Sequence, residues 1–335
     1  MLGIVLGWVV ISLIGIRKSG KSEHLFTLEQ TTALKGICAL EIMLGHIGLM
    51  TGSIFLYGNR KAGVLFVGVF FMLSGYGVAY GAKNKENYMT GFIGKKAVRL
   101  LMPSYAIYFI YALVLIVVEH SGQYGTLFDI GQYVKTLNWY VYEQLALYVL
   151  FGLSNKLMTR YRDFCVVFVL ILFVIVAFIG KLDNPVYGST LCFALGVFLY
   201  DYEGKVMKYR RKHLGFCVFT CISVCLISIG TYTILGDNSV IGNLVARNIA
   251  AMSFCLLIVT LLERINIGNK LLIQIGKCSY EIFIIHFFVM SILIRFSISS
   301  QLIFSLYVIA ISVIAAMVIH YCGNGLQYLI RKGKK

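Results

Sequence analysis

Long apolar runs separated by short polar loops fill the chain from one end to the other. Eleven of these runs approach the roughly 20 residues that an α-helix needs to cross a bilayer. They lie at residues 2–16, 31–50, 62–82, 98–118, 139–158, 164–180, 186–200, 214–235, 244–262, 279–294 and 302–322. The first and seventh are short, and Tyr and Glu interrupt 139–158. The pattern predicts an all-α polytopic membrane protein with about eleven transmembrane helices. Residues 1–28 form an N-terminal transmembrane anchor with its following loop, and 29–335 form one membrane domain.

The second run departs from pure apolarity in a way that carries chemistry. It reads ALKGICALEIMLGHIGLM, with Lys35, Glu41 and His46 inside it. An ionisable side chain at membrane depth costs about 3 kcal/mol or more and marks a functional site by default. Lys35 and His46 are eleven residues apart. On a helix they fall about 20° apart on one face and about 16 Å apart along the axis. Glu41 lies about 140° from His46 and is no obvious orienting partner for it.

Composition agrees with the pattern: 59% of the 335 residues are hydrophobic and 13% are charged, against about 25% charged in soluble domains. The formal net charge of +16 would suit nucleic acid, but the placement of Lys and Arg rejects that partner. Basic residues cluster in alternate loops, around 17–21, 83–99, 156–162, 205–212, 264–277 and 331–335; with Lys35 these hold 24 of the 30. The intervening loops hold only Arg60, Lys61, Lys135, Lys181, Arg247 and Arg295. This asymmetry puts the N-terminus outside and the C-terminus in the cytoplasm, and attraction to anionic membrane lipid accounts for the charge. The first run has no basic segment before it and no small-residue cleavage site, so it reads as a retained anchor.

The nine cysteines all fall in or beside apolar runs, and Cys217, Cys221 and Cys225 make a helical stripe without His or carboxylate. Packing explains them better than a metal or a disulfide. Of six histidines, His24, His120, His213 and His320 lie in loops or near helix ends and read as solvated. His46 and His286 are deep. Counted from Lys277, His286 lies about 14 Å inward, a depth comparable with that of His46.

Five segments in order, ALKGICALEIMLGH, VFFMLSGYGVAYG, KKAVRLLMPSY, WYVYEQLALYVLF and GKCSYEIFIIH, resemble acyltransferase family three, bacterial integral-membrane O-acyltransferases. The likeness spans residues 31 to 322. It implies a ten-helix acyltransferase core, to which this chain adds one N-terminal helix, in a bacterial plasma membrane. The family's basic residue and intramembrane His fall on Lys35 and His46; the family most often has Arg where this chain has Lys35, and lysine lacks the bidentate fork. Its basic position at the base of the next helix pair falls on Arg99, and its Ser-Tyr with a later His falls on Ser279, Tyr280 and His286.

The resemblance implies transfer of an acyl group, acetyl above all, from cytoplasmic acyl-CoA to a hydroxyl of a cell-surface or exported glycan or lipid-linked sugar. A neutral imidazole serves as base or as acyl carrier, which makes His46 and His286 the candidate catalytic residues. Lys35, Lys96 and Arg99 would hold the donor's phosphates. Ser279, Tyr280, Glu41 and Glu143 are supporting candidates. Acetyl-CoA is a substrate, and no bound cofactor or metal is expected. Gly68, Ser74, Gly75, Gly77 and Gly81 in the third run let helices approach closely or line a passage. An exporter using Lys35, Glu41, His46 and His286 as a polar path is the competing expectation.

Overall fold

A computed structural model describes residues 7, 10, 12, 14–18, 24–119, 130–157, 162–180, 187–235 and 239–332. The chain is helical almost throughout these residues. After a two-residue strand β1 (Arg17–Lys18) come α1 (Leu28–Thr51), α2 (Tyr57–Asn84), α3 (Phe92–Glu119), the short α4 (Ile130–Thr136), α5 (Trp139–Leu157) and α6 (Arg162–Ile179). Then follow α7 (Leu191–Asp201), α8 (Glu203–Lys212), α9 (Leu214–Leu235), α10 (Val240–Leu262), β2 (Ile265–Asn266), α11 (Lys270–Lys277), α12 (Ser279–Ile294) and α13 (Gln301–Lys332). β1 and β2 pair antiparallel, Arg17 opposite Asn266.

Six helices among the described residues are long and apolar enough to cross a membrane: Leu28–Thr51, Ala62–Asn84, Phe92–Val118, Leu214–Leu235, Val240–Leu262 and Gln301–Gly325. A seventh forms if α11 and α12, bent by 73° at their junction, count as one span. Six or seven spans among the described residues show a polytopic helical membrane protein and leave the expected count of eleven unconfirmed. The run 2–16 lies mostly outside the described residues. The apolar stretch of α6 is Cys165–Ile179, and α7 is Leu191–Asp201; at 1.5 Å per residue both fall well short of a ~30 Å hydrocarbon core. The polar side chains of α5, Glu143 and Gln144 among them, hold it below the apolarity of a free-standing span.

α1 and α2 form the buried centre, and α9 lies at the periphery with most of its side chains outward. The start of α1 is fixed by a capping box: Thr27 Oγ1 accepts from the Gln30 backbone N–H at 3.1 Å and Gln30 Oε1 accepts from Thr27 N–H at 2.9 Å. Such a cap contributes about 1 kcal/mol. The Gln30 amide also donates to Leu262 O at 3.1 Å, tying α1 to the end of α10. α2 and α7 cross glycine against backbone, Gly75 facing Phe193 O and Gly196 facing Met72 O. α11 crosses α1 the same way, with Gly276 on Thr32 O and Gly36 on Leu272 O. Only a missing Cβ permits backbones that close.

Two ionic nodes hold the same end of the bundle. Glu203 accepts from Leu25 N–H at 2.5 Å, from Tyr76 OH at 2.6 Å and from His24 Nδ1 at 3.1 Å. Glu263 accepts from Arg210 at 2.9 Å and Arg211 at 2.6 Å, while Arg210, 4% exposed, also donates to Val259 O. His24 and His320 do not stand as simple solvated side chains. His320 Nδ1 lies 3.0 Å from Glu281 Oε1, because the inner turns of α12 and α13 pack against each other.

Candidate active site

α1 carries Lys35 and His46 on one stripe, and the helices beside it complete a polar group at each end. His46 meets His286 of α12, their ring centroids 5.1 Å apart and the planes at 78°. Phe287 stands edge-on to His46 at 4.3 Å and lies 4.4 Å from His286. His286 is fully buried. Its Nδ1 sits 2.9 Å from Ile282 O, one turn back on its own helix. A carbonyl only accepts, so this contact puts the proton on Nδ1 and leaves Nε2 as an acceptor. That Nε2 and the Nδ1 of His46 are both buried and without a hydrogen-bond partner. His46 as a whole is partly exposed.

The other end of the stripe is cationic. Lys35 and Arg99 lie within electrostatic reach of each other, and Lys96 is within reach of both and of Lys85. Arg99 and Lys85 are exposed, Lys96 and Lys35 half-buried, so positive charge runs from the surface inward. Among the described residues no carboxylate pairs with Lys35, Lys96 or Arg99. Three rings surround the Lys96 ammonium: Tyr148 at 4.8 Å, and Tyr88 and Phe92 at 5.5 Å each. Burial, reinforced by Tyr148 and opposed by the Arg99 charge, pushes the Tyr88 phenol up to about 12. It stays neutral at physiological pH and offsets none of the cations.

Between the two ends α5 and α12 supply a tyrosine-rich wall. Tyr148 lies beside Ser74 of α2, and Tyr140 packs at 4.6 Å on Phe283, whose ring lies 6.1 Å from His286. Tyr280 OH lies 2.7 Å from both Leu100 O and Ser104 Oγ, which brackets α12 against α3 one residue beyond Arg99. Ser279 is buried in the same turn.

The sequence-expected residues thus fall into three sets. His46 and His286 come together, as do Lys35, Lys96 and Arg99. Tyr280 and Glu143 sit apart from both groups. Glu143, 1% exposed, accepts from Thr190 Oγ1 at 2.6 Å near the start of α7, and Glu41 is half-buried beside Cys38. Sequence reasoning missed Tyr88, Phe92 and Tyr148 around Lys96, Phe287 against both imidazoles, and the Glu281–His320 pair. Two signals were present: Phe287 directly follows His286, and Tyr148 belongs to the same segment as Glu143.

Fold and site together define a helical membrane protein that keeps two imidazoles side by side inside its bundle and, among the described residues, cations without a carboxylate partner towards the other end of the same stripe. A family model described as an acyltransferase domain matches residues 30–322, nearly the whole chain; the chain belongs to that family and is an acyltransferase. No curated protein and no solved structure matches it.

Proposed function

We propose that this acyltransferase takes an acetyl group from cytoplasmic acetyl-CoA and delivers it to a hydroxyl of a cell-surface or exported glycan or lipid-linked sugar. Residues 29–335 form the transferase domain and 1–28 anchor it in a bacterial plasma membrane. The observation that carries the reading is the stripe on α1, with unpaired cations near Lys35 and bare imidazole nitrogens at His46 about 16 Å further along.

Uncompensated cations half-buried at a mouth are costly unless an anion arrives to pair with them. The phosphates of coenzyme A are such anions, and hydrogen bonds to charged groups contribute about 1.5–3 kcal/mol each. With its phosphates at Lys35, Lys96 and Arg99, the donor threads its pantetheine arm past Tyr148 and brings the thioester to the imidazoles. There an imidazole removes the acceptor hydroxyl's proton as its oxygen attacks the thioester carbonyl. The family's activity favours transfer over export for the same polar stripe.

The test is labelling of envelope material by radiolabelled acetyl-CoA in membranes containing the full chain. His46→Ala is expected to abolish labelling while protein level holds. Undiminished labelling in that variant removes His46 from the chemistry.

A further inference from the structure

The two imidazoles are not equivalent, and their surroundings divide the labour between them. His286 is completely enclosed, with Nδ1 held by Ile282 O and Nε2 bare. It has no route to a substrate. His46 is partly exposed, yet its Nδ1 is buried and bare, so the open side of the ring is the Nε2 side. Both rings are otherwise faced by phenylalanine, Phe283 and Phe287. Among the described residues, the one titratable neighbour of His286 is His46, and no carboxylate stands against either ring. The orienting partner that a catalytic imidazole ordinarily finds in a carboxylate is missing here, and a fixed imidazole acceptor stands in its place.

Resting on the acyl-transfer reading above, we infer that His286 is a positioning residue whose Nε2 accepts the His46 Nδ1 proton and so leaves His46 Nε2 unprotonated as the base. With centroids 5.1 Å apart, a rotation of the His46 ring closes the contact when substrate fills the open side. The step balances within the site. The acceptor O–H proton passes to His46 Nε2, the acceptor oxygen bonds the thioester carbonyl carbon, and the C–S bond breaks. The departing thiolate of coenzyme A then takes the proton from Nε2. The Nδ1 proton stays shared with His286 throughout.

A merely packed His286 and a positioning one respond differently to isosteres. Glutamine reaches far enough to put an acceptor oxygen where Nε2 stands, whereas asparagine puts its oxygen where Nδ1 stands, and leucine offers none. Acetyl transfer from radiolabelled acetyl-CoA to envelope membranes gives the maximal rate and the donor KM for each variant, with melting of the detergent-extracted chain alongside. His286→Leu and His286→Asn are expected to lower the maximal rate roughly 100-fold with donor KM unchanged, and His286→Gln to regain at least about tenfold of the loss. Should His286→Leu not accumulate, the contrast of Gln with Asn decides. Equal rates in those two, or a wild-type rate in His286→Leu, overturn the inference. Loss in His46→Ala with full activity in His286→Leu overturns it and leaves the acyl-transfer reading standing; full activity in both overturns both.

Discussion

Lys35 occupies a position where leucine would cost the helix nothing, and among the described residues it stands beside two further cations without an acid to steady them. Like charges held close together in a partly buried place repel one another. Relief of that repulsion separates binding from stability. Lys35→Gln and Arg99→Gln are each expected to weaken coenzyme A binding by about tenfold or more, while the melting temperature holds or rises. Titration calorimetry in detergent reads the first and a thermal melt the second; unaltered affinity would reject the donor-site role. Periodicity made half of this arrangement legible, because Lys35 and His46 share one helix and eleven residues fix their relation. Depth counting brought His286 to the right level. The contact of the two rings was not legible, since it depends on how α1 and α12 cross. Glu143 shows the same limit, because its partner Thr190 lies 47 residues away on another helix.

At the level of helices, close crossings decide where these groups stand. The glycines of the third apolar run read from sequence as packing or as a passage, and packing takes most of them. Gly68 meets Ala251 and Cys192, Gly75 meets Phe193 O, and Gly81 meets the Tyr88 ring, whereas Gly77 faces open space. A side chain at the α2–α7 crossing has nowhere to go but into the partner's backbone. Gly196→Val is expected to destabilise the bundle by about 3 kcal/mol, seen as a lower melting temperature and reduced accumulation, with Gly77→Ala a near-neutral control. Equal melting of the two would show that α7 can slide away at little cost. The bend between α11 and α12 escaped the sequence reading, because KLLIQIGK continues into SYEIFIIH without a proline or a charge block. Gly276 against Thr32 O supplies the reason: α11 lies across α1, and α12 must turn to enter the bundle.

The bonds that join distant segments also give the molecule two distinct ends. His24, Leu25 and Tyr76 meet at Glu203, Gln30 reaches Leu262, Lys35 lies near Arg99, and Glu281 holds His320. These contacts gather residues near 24–35, 76–99, 203–211, 259–281 and 320–324 at one end. The basic clusters around 83–99, 205–212 and 264–277 fall in or beside those segments. At the far end Gln301 donates to Thr51 O, and the loop before α13 there holds Arg295 as its one basic residue. By the positive-inside rule a bundle charged so unequally is expected to insert with its basic end inward, each juxtamembrane Lys or Arg adding about 1 kcal/mol of attraction to anionic lipid. A fluorescent protein fused after residue 335 is therefore expected to glow inside the cell. Alkaline phosphatase fused in the loop at Ser297 to Ser300 is expected to be active outside, and the same enzyme fused after Lys212 inactive. The reverse pattern would turn the cationic mouth away from the cytoplasm, and coenzyme A would then have no entrance to the site.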